Sequence, residues 1–175
     1  MFKKIDMKQL IVFFIVVMPL FAMAQRYPTR PPKWYKSPPT SADRFYAVGK
    51  GASASAEVAE RKARLDASSK LPEMVEPAIV TVSTRIDSVV KGNTILEQKV
   101  QIMHKRVKAT LSGHRLANKS VTFKNDVYTV YVLLEMPKRD LSRLIVEQIN
   151  VDKELLTAVS STKIYQTILS ESEED

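Results

Sequence analysis

The stretch FYAVGKGASASAEVAERKA, Phe45 to Ala63, runs from a hydrophobic strand-like piece through two glycines into an alanine-rich helix. Its reading decides the fold, because a Gly-Lys-Gly between strand and helix is either a phosphate cradle or a tight turn. A Walker loop needs a glycine five residues before the Gly-Lys pair and a Ser or Thr after it. Here that earlier position is Arg44, and Gly51 follows Lys50. A dinucleotide fingerprint needs a third glycine where Ala54 stands. Both templates fail, so no cofactor is expected. Gly49 and Gly51 are read as giving backbone freedom at a strand-to-helix turn and a close helix approach.

Outward from this point, Arg44 to Val48 reads as a strand. The following helix carries Ala56, Ala59, Ala63, Ala67, Leu71 and Met74 at helical spacing, so one face is apolar and mostly methyl groups. Ser55 is placed to cap its amides, and Glu57 and Glu60 suit the positive end of its dipole. Pro72 is expected to end or kink it. From Ala78 to Val90 the pattern alternates: Val80, Val82, Thr84, Ile86 and Val90 against Thr81, Ser83, Arg85 and Asp87. That predicts a half-buried strand. Lys91 to Asn93 turns the chain. Thr94 with Glu97 reads as a capping box opening a helix with Leu96, Val100, Met103, Val107 and Leu111 on its apolar face, closed by Gly113. A second strand through Ile102 is the competing reading of the same segment.

Leu116 to Phe123 and Val127 to Met136 predict a hairpin around Lys-Asn-Asp, its second strand apolar on both faces and central. Pro137 opens a helix striped by Leu141, Leu144, Ile145 and Ile149. Asn150 and Asp152 mark a break, and a last amphipathic helix carries Leu155, Leu156, Val159, Ile164, Ile168 and Leu169. The expectation is an α+β domain: a mixed or antiparallel sheet of about four strands packed by helices, in the order β-α-β-α-β-β-α.

The flanks carry other signals. Lys3, Lys4 and Lys8 precede an apolar run from Leu10 to Phe21, and Ala22-Met23-Ala24 precedes Gln25. This is the pattern of a cleaved export signal over residues 1–24, with Met7 as an alternative start. The apolar run is short for a membrane span of about 20 residues, the competing reading. Residues 25–43 hold five of the nine prolines and read as an extended arm. There Arg26, Arg30, Lys33 and Lys36 alternate with Tyr27, Trp34 and Tyr35. A spacer with aromatics laid on the domain is favoured over a docking arm. The domain is expected over 44–149, the C-terminal helix over 150–170, and a fraying acidic tail over 171–175.

The chain has 175 residues, no cysteine and a formal net charge of +8. Absence of cysteine excludes disulfides, thiolate metal sites and a cysteine nucleophile. Without residues 1–24 the charge is about +6, which for an exported protein points to anionic envelope surfaces or solubility rather than nucleic acid. His104 and His114 lie ten apart, without the spacing of a metal site. No serine sits in a Gly-x-Ser-x-Gly turn, and no enzymatic activity is expected, although triad partners need no adjacency in sequence. Lys99, Lys105, Arg106 and Lys108 surround one helix and read as its solvated face. With Arg30, Lys33 and Lys36, Lys105 and Arg106 are the residues that would meet an anionic surface.

Four pieces in order carry a resemblance: YAVGKGASAS from Tyr46, AERKARLDASSKL from Ala59, TLSGHRL from Thr110, and VYTVYVLLEMPKRDL from Val127. Together, over roughly Phe45 to Leu144, they resemble the family of the small outer-membrane lipoprotein of Helicobacter. Related domains occur in the flagellar accessory proteins FlgT and FlgP. The matching residues are Tyr46, Gly49, Gly51, Ala59, Ala63, Ala67, Leu111, Gly113 and Tyr131. The resemblance implies an α/β domain of the Gram-negative envelope, without known enzymatic activity, that in some relatives assembles into larger structures. The chain departs from the family where Ala24 is followed by Gln25 instead of a lipidated cysteine. The expectation is thus a non-catalytic protein of the periplasm or outer-membrane surface, without a lipid anchor, that binds itself or other envelope proteins. The alternative is a module for an anionic ligand such as lipopolysaccharide or peptidoglycan.

If residues 1–24 are a cleaved signal, mass spectrometry of the exported protein finds Gln25 at its N-terminus. An intact Met1 or Met7 terminus excludes cleavage.

Overall fold

The computed structural model describes residue 28 and residues 30–173. The signal and its cleavage residues Ala22, Ala24 and Gln25 lie outside the described residues, as do Arg26 and Tyr27. The elements are α1 (Lys33–Lys36), β1 (Arg44–Ser53), α2 (Ala56–Val90), α3 (Thr94–Ala109), β2 (Arg115–Lys124), β3 (Val127–Pro137), α4 (Lys138–Val151), α5 (Lys153–Val159) and α6 (Lys163–Glu173). The class is α+β, as the sequence implied. The sheet has three antiparallel strands, not four, in the order β1-β3-β2.

The missing strand is the second half of α2. Ala78 to Val90 continues the helix, which runs 35 residues straight through Pro72 and Pro77. A proline inside a helix costs about 3 kcal/mol. Burial of Leu71, Val75 and Ile79 around these two prolines is worth roughly 1.5–3 kcal/mol per side chain, enough to offset it. The buried positions recur every fourth residue from Ala59 through Ala63, Ala67, Leu71, Val75 and Ile79 to Ser83. At 100° per residue, that spacing turns the buried stripe by about 240° around the helix over this length. The first half faces the sheet and the second faces other helices.

Two cores result. Ala59, Ala63 and Ala67 meet Val130, Val132 and Leu134 of β3. Leu71 through Val90 join Val100, Met103 and Val107 of α3 and Leu141, Ile145, Ile149, Leu155, Val159 and Ile168 of α4 to α6. Residues 94–109 are helix, which settles the helix-or-strand alternative. Its cap is Asn93, one residue earlier than read: Asn93 Oδ1 accepts from Leu96 N at 3.2 Å, while Glu97 Oε1 accepts from Gly92 N at 2.9 Å. The helix ends at Ala109, so Gly113 is not its cap. It sits in the link to β2 at φ +82°, where a Cβ would lie 3.2 Å from Asp140 Oδ2.

The hairpin forms where expected. Asn125 and Asp126 both take positive φ, 51° and 59°, the requirement of a two-residue type I′ turn. Asp152 breaks the C-terminal helices by accepting from Glu154 N and Leu155 N, each at 3.1 Å. The stretch beyond forms two helices, α5 and α6, and Glu171 to Glu173 continue the second. The arm is not wholly extended. Lys33 to Lys36 make one helical turn on the outer sheet face, with the Tyr35 ring edge-on to Tyr131 at 4.8 Å.

Gly49 and Gly51 lie within β1 rather than at a turn, which corrects half of their reading. The other half, close approach, is what they do. A Cβ on Gly49 would fall 2.1 Å from Ala63 O, and one on Gly51 2.1 Å from Ala59 O. Strand and helix backbones touch there with nothing between. Gly51→Val and Ala63→Leu are each expected to lower stability by about 1–3 kcal/mol in urea melts. Lys50→Ala and Arg64→Leu, at exposed side chains, should change it by no more than about 0.5 kcal/mol.

Candidate functional site

Because α2 lies so close on β1, its side chains reach the strand's outer edge. Lys62, Asp66 and Lys70 stand four residues apart on one helix face and meet alternating peptide groups. Lys70 Nζ donates to Val48 O at 3.3 Å, Lys50 N donates to Asp66 Oδ2 at 2.8 Å, and Lys62 Nζ donates to Ala52 O at 3.4 Å. Lys70 Nζ also donates to Asp66 Oδ2 at 2.8 Å. Cation, anion and cation thus match carbonyl, amide and carbonyl, as a neighbouring strand would. An unpaired edge invites another chain; this one is sealed by the helix.

The opposite edge of the sheet is open. β2 pairs with β3, and Arg115, Ala117, Asn118, Lys119 and Lys124 are exposed along it. Its register shifts between Leu116 and Asn118, leaving Ala117 as a bulge and Asn118 to Lys124 as a regular run up to the turn. Pairing closes on Lys124 and Val127, so by antiparallel alternation the peptide groups of Lys119 and Val121 point away from β3. Lys119 N donates locally to Asn118 Oδ1 at 2.8 Å, consistent with that direction.

The sheet's far end is tied by Glu135, whose Oε1 accepts from Arg44 Nη1 at 2.6 Å and Arg115 Nε at 2.7 Å, one from each edge strand. A cleft of about 590 Å³ opens there beside Asp43, Arg44, Arg115, Lys138, Arg139 and Glu171. Glu135 pairs with Arg44 and Arg115, Arg139 Nε lies 3.9 Å from Asp140 Oδ1, and Lys138 Nζ lies over the Phe45 ring. The hydrogen bond from Arg115, followed by that from Arg44, outweighs desolvation and holds the Glu135 carboxyl below its usual range. For Asp66, desolvation is the largest influence and acts upward. The Lys70 and Lys50 hydrogen bonds and the Lys70 charge together outweigh it, so its pKa is lowered too.

One constellation has the composition of a hydrolase triad. Ser83 Oγ lies 3.4 Å from His104 Nδ1, and His104 Nε2 lies 3.2 Å from Glu76 Oε1. The order on the ring is the reverse of the hydrolase arrangement. Ser83 is only 3% exposed in the α2–α3 interface, where no substrate reaches its hydroxyl. The chain of bonds joins α2 to α3. His114 sits elsewhere, with Nε2 at 3.2 Å from Ser68 Oγ. Among the described residues, no group of three or more metal-ligating side chains comes together, and no helix is long and apolar enough to cross a membrane.

The residues singled out from sequence divide by place. Gly49, Gly51, Ala59, Ala63 and Ala67 form the strand–helix contact. Tyr46 and Tyr131 lie on the outer sheet face, and Leu111 packs on the larger core from the link after α3. Arg30, Lys33 and Lys36 are exposed on the arm, whose turn packs on β3, while Lys105 and Arg106 are exposed on α3, which packs on α2, α4 and α5. The basic residues therefore divide between two separately packed elements. Lys62, Asp66, Lys70 and Glu135 went unnoticed in sequence. The four-residue spacing of the first three was the available signal.

No family model matches the chain, and no curated protein matches it. Among solved structures, the chain is similar to the secreted protein HP1454 of Helicobacter pylori, with 13% identity and a TM-score of 0.31. The match covers 74% of this chain and 54% of that one, so the chain spans about half of that protein's length. A likeness this slight transfers neither fold nor function.

Asp66 of α2 and Glu135 of β3 both have lowered pKa values in the fold. The stability they confer is therefore present above their ordinary values of 3.8 and 4.5 and is lost as pH falls through the folded values. Urea midpoints should hold from pH 7 to about pH 5 and drop below it. Asp66→Asn and Glu135→Gln should each lower the midpoint at pH 7 and shrink that acid-side drop. An unchanged drop in both variants would remove these groups from the account.

Proposed function

We propose that the chain is an exported, non-catalytic protein of the Gram-negative cell envelope that works by associating with proteins, itself included. The observation that carries this reading is the unequal treatment of the two sheet edges. A helix seals β1 with Lys62, Asp66 and Lys70, while β2 stays exposed. Edge strands are a standard route for one protein to add to another. The export half of the reading rests on the lysines, apolar run and Ala-Met-Ala of residues 1–24. Gln25, standing where the lipoproteins have cysteine, supports the absence of a lipid anchor in a periplasmic or outer-membrane-surface protein.

Arg30, Lys33 and Lys36 lie on the arm and Lys105 and Arg106 on α3, elements that pack on different partners, and the reading as protein association is preferred because the exposed edge, not these residues, carries it. Light scattering of the purified chain and pull-down from envelope extract test this. Association that persists as salt rises is expected, because pairing through peptide groups is little screened. Binding to lipopolysaccharide or peptidoglycan that vanishes with salt, without any protein association, would replace this reading by the anionic-ligand one.

A further inference from the structure

Resting on the reading of β2 as an interaction edge, we infer that the occupant of that edge is β2 of a second copy, paired antiparallel about Val121. The regular run Asn118 to Lys124 is bounded by the bulge at Ala117 and the turn at Asn125, and Val121 is its midpoint. A two-fold axis through Val121 lays the whole run on itself. The outward peptide groups of Val121 then exchange hydrogen bonds with those of its copy, in the alternation that an antiparallel ladder requires.

The side chains agree with this register. Lys119 falls opposite Phe123 of the second copy, Ser120 opposite Thr122, and Asn118 opposite Lys124. No like charges are directly opposed, although every charged residue of β2 is basic. Moving the axis to Lys119 would set lysine against lysine, which destabilises a sheet pair, and would run the pairing into the bulge. Lysines on an edge usually deter pairing; here they disfavour the register about Lys119, and an axis through Val121 is the one that pairs the whole run between bulge and turn.

The sealed edge sets where assembly stops. Two three-stranded sheets joined at β2 give one six-stranded sheet, with β1 at both ends. Each end carries the Lys62, Asp66 and Lys70 contacts along Val48 to Ala52, which oppose addition of a third copy there. The contact uses the same patch on both copies and closes at two, rather than running on into a fibre.

Sedimentation velocity over a concentration series, with hydrogen exchange read at Lys119 and Val121, tests this. A monomer–dimer equilibrium is expected, in which these two amides gain protection as dimer forms. Asn118 is exposed, and its replacement changes the charge facing Lys124 twice per dimer. Both replacements release Lys119 N from Asn118 Oδ1, so the charge is read between them: Asn118→Glu should dimerise more tightly than Asn118→Lys by about two- to thirty-fold in Kd, with urea midpoints near the parent's. A chain monomeric at every concentration, a dimer whose Lys119 and Val121 amides stay unprotected, or an Asn118→Lys variant that dimerises as tightly as Asn118→Glu would each overturn the inference. Capture of envelope proteins by Asn118→Lys as by the parent would leave the broader proposal standing when self-pairing fails. Loss of capture without change in self-association would do the reverse.

Discussion

The missing side chains of Gly49 and Gly51 set the distance between β1 and α2, and the rest of the molecule follows from that distance. A Cβ at either position would overlap helix carbonyls, so the helix meets the strand backbone to backbone, with alanine methyls filling the remaining space. At that separation ordinary lysine and aspartate side chains on the helix flank span to the strand's peptide groups. The edge seal is thus a geometric consequence of two glycines and three alanines. A bulkier seam would lift the helix and withdraw Lys62, Asp66 and Lys70 from the edge together.

The same helix organises the second core because its buried stripe drifts. Had the apolar residues followed the mean helical period, α2 would have faced only the sheet. Spacing by four rotates the stripe toward α3 and the C-terminal helices, so one element serves two layers. The two prolines sit where this change of partner occurs. Burial of the side chains beside them holds the helix through both.

That drift also explains what was legible in the sequence and what was not. The alanine face, the hairpin and the stripe of α4 were readable because each keeps one period along its length. The second half of α2 was not. A rotating stripe spreads apolar residues over a wide arc, so Val80, Val82, Ile86 and Val90 imitate alternation, although Val80 is 44% exposed. Pro72 reinforced the error, since local propensity argues for a stop and tertiary burial overrides it. The glycines were half-read: their smallness was used for contact, with φ elsewhere supplying the turns. The edge contacts of Lys62, Asp66 and Lys70 escaped because their partners are peptide groups, which no side-chain pattern announces. Tyr131 was placed in a central strand, but its packing against Tyr35 of the arm depends on a non-local approach.

The hairpin turn at Asn125 and Asp126 has a consequence for the order of folding. β2 and β3 are joined by two residues and can pair on the microsecond scale of local hairpins. β1 must wait, because its contact with β3 closes a separation of 91 residues between Arg44 and Glu135, and such closure carries a larger entropic barrier. α2, by contrast, begins almost immediately after β1 ends. The glycine–alanine contact is therefore available before the sheet is, and it lets β1 rest on its own helix while the hairpin forms downstream. The strand thus has its helix partner close by in the chain and its sheet partner far away, the separation that sets the entropic order of the two contacts.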